Sequence, residues 1–238
     1  MAAKKMTSKK SRFVWLSLAL AAVLVLVAII VGASAQMKPA AVAGPTPEPA
    51  ETSTSLHLDR RIPGDPLAMG SVDAPVVMVE YSDYRCPFCG VFARDSMPEL
   101  VKEYVDAGQL RIEWRDLALF GEQSVRAAVA GRAAGAQEKF WEFNEAVYAA
   151  APARGKPELS EAELVHLAKV AGVPDITQFT VDMKDPALAA LVQADVQEAQ
   201  QLGITGTPTF VINDQAISGA QPLAVFRSFI DVAVARAK

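Results

Sequence analysis

The sequence contains two cysteines, Cys86 and Cys89, in the stretch "DYRCPFCGV" at positions 83–91. On a helix, residues three apart have Cα atoms about 5–6 Å apart, within the range that a disulfide needs. The pair can therefore open and close with little backbone motion. A disulfide between them closes too small a loop to stabilise a large domain, because the stabilising effect scales with loop length. The spacing indicates reactive thiols or metal binding.

Metal binding is the first alternative to thiol chemistry. A structural zinc site uses four ligands, usually as two spaced pairs. The two histidines, His57 and His166, do not have ligand spacing to the cysteines. Binding of Cu(I) by two thiolates stays open as an alternative. We otherwise expect no metal and no cofactor, because disulfide exchange needs only the sulfur atoms.

The neighbouring elements predict that Cys86 stands where a helix begins. Residues 74–82, "APVVMVEYS", have the apolar, β-branched composition of a strand buried on both faces. Pro87 suits the first turn of a helix, and Pro98 is expected to kink that helix. The unpaired N–H groups and the dipole at a helix start favour a thiolate. We therefore expect a lowered pKa at Cys86 and a more buried, less ionised Cys89 one turn later.

The rest of the chain predicts an α/β domain with a long helical insertion. "QLRIEWR" at 109–115 alternates as a second strand, and strand–helix–strand in this order implies a right-handed parallel crossover. Residues from about 122 to 203 have helical spacing of apolar residues, and Ser160 with Glu163 forms a capping-box pattern. Two strands, "TPTFVIN" and "QAISG", and a helix, "PLAVFRSFIDVAVARA", complete the domain.

A second candidate for the site is the turn before the last two strands, "GITGTPTF" at 203–210. A proline at the entry to a central strand is unusual, because it cannot donate to the ladder. A cis Thr207–Pro208 bond would explain it. We expect this turn to lie against the cysteine pair and to offer backbone groups of Thr207 to an extended substrate peptide.

The N-terminus predicts the compartment. Residues 1–12 are basic without an acid, and residues 13–31 carry no charge. At ~1.5 Å rise per residue, this span covers about 28 Å, close to the ~30 Å hydrocarbon core. We predict a transmembrane anchor at 13–34 with a cytoplasmic N-terminus. The "ASA" at 33–35 leaves a cleavable signal peptide as the alternative.

Beyond the anchor, residues 35–55 are rich in Pro, Ala and Thr, which is typical of a disordered tether. Residues 56–238 are long enough for one domain with a sizeable core. This domain has 17 basic and 25 acidic residues, a net charge of −8, so we expect no nucleic-acid binding. Outside the cytoplasm, disulfides persist.

These motifs together resemble a known family. The "CPFC" after a strand and the "TGTPTF" before the last hairpin resemble thioredoxin-fold oxidoreductases, and the long helical block resembles the DsbA-like thiol–disulfide oxidoreductases. The stretches at 74–100 and 206–213 resemble the membrane-anchored members of Gram-positive bacteria. The resemblance implies that Cys86 is the nucleophile, Cys89 its buried partner and Pro208 a cis-proline.

The resemblance also implies a role for Glu80, since the family has a buried glutamate six residues before the nucleophile. A carboxyl group under the disulfide would have a raised pKa and could relay the proton of Cys89. The alternative is a strand-end acid that points to water.

One position departs from the family pattern. Oxidising members often carry histidine before the second cysteine, whereas this chain has Phe88, which offers no hydrogen bond and no charge. Stabilisation of the Cys86 thiolate is then expected from the helix start and Arg85, with Asp83 opposing it. We predict a potential between those of thioredoxin (about −270 mV) and DsbA (about −120 mV). Phe88 and Tyr84 are candidates for an apolar surface that receives unfolded substrates.

The sequence thus predicts a thioredoxin-like domain behind a membrane anchor, which forms disulfides in exported proteins through Cys86 and Cys89. By family analogy, a quinone-linked membrane protein of the DsbB or vitamin K epoxide reductase type would reoxidise it. A reductase or isomerase on the same scaffold and a tethered Cu(I)-binding module are the alternatives.

Overall fold

The structure is a computed structural model that describes residues 58–237. The predicted basic head (1–12), transmembrane anchor (13–34) and tether (35–55) lie outside the described residues, as does His57. Among the residues that are described, no helix is long and apolar enough to cross a membrane.

Within this range the strands and helices from residue 76 onward follow the order that the sequence predicts. The elements are β1 (Ala68–Met69), β2 (Val76–Ser82), α1 (Pro87–Asp95), α2 (Met97–Leu100), a π-helical turn (Val101–Val105), β3 (Leu110–Asp116), α3 (Glu122–Gly135), α4 (Phe140–Ala150), α5 (Glu161–Val170), α6 (Ile176–Asp182), α7 (Pro186–Gln201), β4 (Thr209–Ile212), β5 (Gln215–Ser218) and α8 (Leu223–Arg236).

The strands form one sheet in the order β1-β3-β2-β4-β5. β2 pairs parallel with β3 and antiparallel with β4, which confirms the predicted parallel crossover. The short edge strand β1, antiparallel to β3, was not predicted, because two residues are too few to show a period. β2 is therefore central, and all seven of its residues are buried.

The two faces of β2 contact different helices. Val76 and Met78 pack in one cluster with Phe92 of α1 and with residues of α8. Val77, Val79 and Tyr81 pack in another cluster with Ala199 of α7. Because side chains alternate along a strand, the even-numbered residues of β2 face α1, the helix that carries the cysteines.

The helical insertion, α3 to α7, adds a second core against the thiols. One cluster joins Cys86 and Cys89 to the alanines of α3 and the aromatic rings of α4. The alanine-rich surface of α3 lets Tyr84 approach closely, and a Cβ at Gly131 would come within 2.6 Å of the Tyr84 hydroxyl. The predicted cap of α5 is confirmed, since Ser160 Oγ accepts from the amide of Glu163 at 3.2 Å.

The helix that the sequence predicts to be kinked by Pro98 is divided into two segments at Ser96. α1 ends at Asp95, and a new helix, α2, begins at Met97 with Pro98 in its first turn. Proline is tolerated there because the first N–H groups of a helix have no partner within the helix. Ser96 keeps a right-handed helical backbone and is hydrogen-bonded to both segments, at 2.9 and 3.1 Å, so the helix is interrupted near Pro98 as the sequence predicts.

Eight buried or half-buried charged side chains form an ionic network beside β3. Its members are Arg60, Arg111, Glu113, Arg115, Asp116, Arg132, Asp195 and Glu198, four cations and four anions. Glu113 accepts from both neighbouring arginines and from the amides of Arg60 and Arg61 at 2.9–3.0 Å. Arg115 and Arg111 also donate to the carbonyls of Leu58 and Ile62. The network therefore holds the first described residues against the sheet.

Candidate active site

Cys86 is the residue that precedes the first turn of α1, as the sequence predicts. Its backbone is extended (φ −78°, ψ 119°), and Pro87 occupies the first helical position. The two cysteines are not bonded to each other. Cys86 is 4% exposed and Cys89 is fully buried, whereas the side chain between them, Phe88, is 65% exposed. A substrate can therefore reach the pair only from the side of Cys86.

The surroundings of Cys86 stabilise its thiolate and lower its pKa to about 6. The largest cause is a hydrogen bond from the Cys89 thiol, and burial acts in the opposite direction. The backbone amides of Cys89 and Phe88 also lower the pKa. Those two amides are the N3 and N2 donors of α1, which a capping side chain normally satisfies. No side-chain hydrogen bond caps this helix, so the N–H groups at its start remain able to stabilise a negative charge on Cys86.

Cys89 has the opposite character. Its pKa is raised well above that of an ordinary thiol, first by burial and then by the hydrogen bond to Cys86 and the charge on that sulfur. The helix start provides donors to one sulfur and not to the other. One turn of helix therefore separates a thiol that ionises easily from a thiol that retains its proton.

The turn at Thr207 contacts the reactive sulfur. The Thr207–Pro208 peptide bond is cis, and the Cys86 thiol donates to the Thr207 carbonyl oxygen at 3.2 Å. The hydroxyl of Thr207 is buried and has no hydrogen-bond partner among the described residues. The two motifs, separated by more than a hundred residues, therefore meet as the sequence predicts.

Glu80 is buried under the thiols, so the alternative of a solvent-facing acid was wrong. It is 1% exposed, and burial raises its pKa to about 8, against a hydrogen bond from Ser82 that lowers it. Its Oε2 atom has no hydrogen-bond partner in the described part of the chain. A carboxyl group in this state keeps its proton at neutral pH.

Tyr84 does not belong to the substrate surface that the sequence suggested. It is 1% exposed, and its ring packs against Trp114 and Tyr148 with centroids 5.2 and 5.5 Å away. The exposed apolar side chains near the thiols are instead Phe88, Val91 and Leu119. Leu119 is held there because its amide donates to the carboxylate of Asp83 at 2.6 Å.

Asp83 and Arg85 fix the loops around Cys86. Asp83 accepts from the amide of Arg85 at 2.7 Å and from the hydroxyl of Ser124 at 2.8 Å. The Arg85 guanidinium donates to the carbonyls of Phe120 and Pro157. These hydrogen bonds give Arg85 a structural role, and the expected contribution of its charge to the thiolate stays a prediction.

Two residues of the site were missed from the sequence, Ser82 and Tyr148. Their hydroxyl oxygens lie 3.4 Å apart, and Tyr148 donates to the Asp83 carbonyl at 3.1 Å. Ser82 could have been found, since it is two residues after Glu80 on the same face of a strand. Tyr148 could not, because its position depends on how α4 packs against the sheet. Among residues 58–237 there is no group of three His, Cys, Asp or Glu side chains that could hold a metal ion.

Comparisons with known proteins agree with this geometry. A family model described as Thioredoxin matches residues 63–232. Disulfide bond formation protein D of Bacillus subtilis is 30% identical over 158 residues, which cover 66% of this chain and 71% of that protein.

Two solved structures show the likeness in three dimensions. Oxidised BdbD from Bacillus subtilis has a TM-score of 0.67 at 27% identity, and the match covers 72% of this chain and 94% of that one. Wolbachia pipientis α-DsbA1 has a TM-score of 0.63 at 25% identity and covers 74% and 94% of the two chains. This chain therefore belongs to the thioredoxin family and, within it, to the DsbA-like thiol–disulfide oxidoreductases.

Proposed function

We propose that this protein is an extracytoplasmic thiol–disulfide oxidase that introduces disulfides into exported proteins through Cys86 and Cys89. The observation that carries the proposal is the opposite ionisation of the two thiols: the pKa of Cys86 is lowered to about 6 and that of Cys89 is strongly raised. Such a pair exchanges disulfides in a fixed order. The relatives named for disulfide bond formation support the same reaction.

The first step consumes the disulfide of the oxidised protein. A substrate thiolate attacks the sulfur of Cys86, the bond between Cys86 and Cys89 breaks, and a mixed disulfide forms between the substrate and Cys86. Cys89 leaves as a thiolate and takes up a proton, because burial strongly favours its neutral form.

The second step releases the product. A second substrate thiolate attacks the substrate sulfur of the mixed disulfide, and Cys86 leaves as a thiolate. With a pKa of about 6, this thiolate needs no proton to leave at neutral pH, and a leaving group of lower pKa departs faster. The substrate has then lost two electrons, and the cysteine pair has gained them as a dithiol.

Glu80 is proposed to supply the proton that Cys89 needs. Its pKa of about 8 leaves it protonated at neutral pH, so it can act as the acid in the first step. In the reverse direction the same group, once ionised, accepts the proton from Cys89.

Thr207, Pro208 and Phe88 are proposed to bind the substrate peptide. The Thr207 carbonyl oxygen lies 3.2 Å from the Cys86 sulfur. Phe88, whose ring is exposed, follows Cys86 by two residues. An extended peptide that pairs with backbone groups of this turn would present its cysteine to Cys86.

A membrane anchor at 13–34 and a tether at 35–55 are proposed to hold the domain outside the cytoplasm. The dithiol must then be reoxidised for the next cycle. A membrane protein of the DsbB or vitamin K epoxide reductase type, which passes electrons to a quinone, is the proposed partner.

The proposal is tested by trapping. In Cys89→Ala, Cys86 forms mixed disulfides with substrates that cannot be resolved, so exported proteins should accumulate on it as adducts visible without reductant. Cys86→Ala, which keeps the buried thiol, is the matched control and should accumulate none. Absence of adducts on Cys89→Ala together with no oxidation of a reduced dithiol peptide by the wild type would overturn the function. A redox potential at or below that of thioredoxin, about −270 mV, would favour a reductase.

A further inference from the structure

We propose that Leu119 is a specificity-determining residue, which favours substrates with a large apolar side chain about two residues from the reacting cysteine. Asp83 is the positioning residue that holds Leu119 beside Cys86. The inference rests on the proposed function, because it concerns which exported proteins react with Cys86. It adds a contact surface on the other side of Cys86 from the Thr207 turn.

The sheet brings three chain segments to one edge, with the Cys86 turn in the middle. β2 pairs parallel with β3 on one side and antiparallel with β4 on the other, so the ends of β2 and β3 lie at the same edge as the start of β4. The turn with Cys86 follows β2, the segment with Leu119 follows β3, and the Thr207 turn precedes β4. A substrate bound to Cys86 therefore has the Thr207 turn on one side and the Leu119 segment on the other.

Two hydrogen bonds hold the segment after β3 against the Cys86 turn. The amide of Leu119 donates to Oδ2 of Asp83 at 2.6 Å. The guanidinium of Arg85 donates to the carbonyl oxygen of Phe120 at 2.8 Å. Leu119 therefore has a fixed backbone, although its side chain is 40% exposed.

Asp83 connects the reactive residue to the apolar one. Its backbone carbonyl accepts from the amide of Cys86 at 2.9 Å, while its Oδ2 atom accepts from Leu119. Its Oδ1 atom accepts from the hydroxyl of Ser124 at 2.8 Å and from the amide of Arg85 at 2.7 Å. Asp83 is buried, so these hydrogen bonds are shielded from water. The backbone of Asp83 thus fixes Cys86, and its carboxylate fixes Leu119.

The spacing of the strands sets which substrate residue reaches Leu119. Neighbouring strands lie about 4.8 Å apart, and an extended chain advances about 3.3 Å per residue. Because Cys86 follows β2 and Leu119 follows the adjacent strand β3, a peptide that crosses this edge reaches Leu119 about two residues from its own cysteine. On the opposite flank of its cysteine, the same peptide lies on the Thr207 turn.

The surface beyond Leu119 is apolar and has room for a large side chain. Val125, at the start of α3, is also exposed, and it borders a cleft of about 580 Å³ between α3 and the segment that joins α6 to α7. The apolar lining residues of this cleft are Val125, Val129, Met183 and Ala189. The charged lining residues are Glu122, Arg126, Lys184 and Asp185, two of each sign.

The occupant of this surface is the substrate chain itself. The mixed disulfide holds that chain at Cys86, so the residues that flank the substrate cysteine must pass over the neighbouring segments. Since the charges around the cleft balance, an apolar side chain is the group that gains from leaving water there.

The test measures the rate of disulfide exchange between the oxidised protein and paired peptides. Each peptide has one cysteine, with leucine or serine two residues before it or two residues after it. The ratio of the leucine rate to the serine rate cancels the intrinsic reactivity of the thiols. We expect a wild-type ratio of about 5–10 on one flank, as partial burial of one apolar side chain would give, and of about 1 on the other.

Substitutions at Leu119 should change this ratio. Leu119→Ser should bring it close to one, whereas Leu119→Met, which is apolar and of similar volume, should keep most of it. Leu119→Lys should instead favour a peptide with aspartate at the same position, and added salt should weaken that preference. Val232→Ser is the matched control, because Val232 of α8 has a similar exposure of 42%, and it should retain the wild-type ratio.

Asp83→Asn tests the positioning role. An asparagine side chain has one acceptor oxygen, so it cannot accept on both ends as the carboxylate does. The orientation that keeps the hydrogen bonds of Ser124 and Arg85 presents an N–H group to the amide of Leu119, which frees the segment. We expect a ratio close to one in Asp83→Asn, and no further change when Leu119→Ser is added.

Each contrary outcome contradicts a separate part of the proposal. A wild-type ratio close to one on both flanks, or an unchanged ratio in Leu119→Ser, would overturn the specificity site and leave the oxidase function intact. Equal losses in Leu119→Ser and Val232→Ser would overturn it as well. An unchanged ratio in Asp83→Asn would refute the positioning role. An oxidised wild type that reacts with none of the peptides would instead refute the proposed function.

Discussion

Glu80 and Glu113 lie on neighbouring strands of one sheet, β2 and β3, and both are buried, with exposures of 1% and 0%. Their electrostatic states are opposite. Glu80 has Ser82 as its hydrogen-bonding neighbour, and burial raises its pKa to about 8. Glu113 is buried as well, yet two amides and two arginines donate to it and bring its pKa down to about 2.

The difference shows that burial alone does not set the charge of an internal carboxyl group. Desolvation penalises both carboxylates, and the number of donors decides whether the charge survives. In the ionic network every carboxylate has a cation, which holds the chain in place. Within residues 58–237, Glu80 forms no ion pair, which leaves this carboxyl group able to exchange a proton near pH 8.

The largest loss of stability is expected from Glu113→Gln. The change leaves Arg111 and Arg115 buried without their shared anion, and breaking a buried ion pair from one side costs about 3–5 kcal/mol. Urea denaturation at pH 7 measures the loss. Glu142→Gln, which breaks an exposed pair with Lys139, should change stability by less than about 0.5 kcal/mol. Equal effects of the two variants would contradict the assignment of Glu113 as a buried partner.

The pH dependence of stability should separate the two glutamates. Because the folded-state pKa of Glu80 is above its unfolded value, its ionisation destabilises the fold as pH rises from about 4.5 to about 8. Glu80→Gln should therefore gain about 2–4 kcal/mol over the wild type between pH 5 and pH 9.

The ionisation of Glu113 affects the free energy of unfolding in the opposite direction, because it stabilises the fold. It is present above about pH 4.5 and is lost as the pH falls toward 2, since its folded-state pKa is depressed. For Glu80, a free energy of unfolding that differs from the wild type by the same amount at every pH would contradict the raised pKa. It would mean that a hydrogen-bond donor or a cation stabilises the ionised carboxylate.

The rate of disulfide exchange should also depend on Glu80. Without its proton donor, Cys89 must leave as a bare thiolate in a buried site, so Glu80→Gln should slow the first exchange about 10²-fold at pH 7. Quenched single-turnover assays with a dithiol peptide measure this. The pKa of Cys86 should stay at about 6 in this variant. If Glu80→Gln exchanges disulfides as fast as the wild type at every pH from 6 to 9, then Glu80 has no part in the mechanism.

The smallest effect is expected where a charged partner is added to the thiol site. In Phe88→His, an imidazole next to Cys86 can donate to the thiolate, which should lower its pKa below about 6. One pKa unit corresponds to ~1.4 kcal/mol and hence to a potential about 30 mV more oxidising. Equilibration with glutathione gives the potential. Phe88→Leu, an apolar replacement, should leave the potential close to that of the wild type.

The local features of the site could be read from the sequence. Pro87 after a buried strand marks where α1 begins, and the helix start itself provides the donors to Cys86. Pro208 at a strand entry marked the turn that contacts the thiol. These inferences hold because each depends on residues within one or two turns of the backbone. The interruption near Pro98 is also local, because proline removes one hydrogen bond from the helix that contains it.

Tertiary packing decided which side chains surround the two buried glutamates, Glu80 and Glu113, and the sequence alone left this open. The alternation of "QLRIEWR" shows that Arg111, Glu113 and Arg115 share a face, and the structure shows that this face is buried under residues 58–62 and α7. Tertiary packing also places Tyr148 beside Ser82 and buries Tyr84 against α3. Desolvation and pairing depend on neighbours that are distant in the chain, so the same residue type is an anion in β3 and a protonated acid at neutral pH in β2.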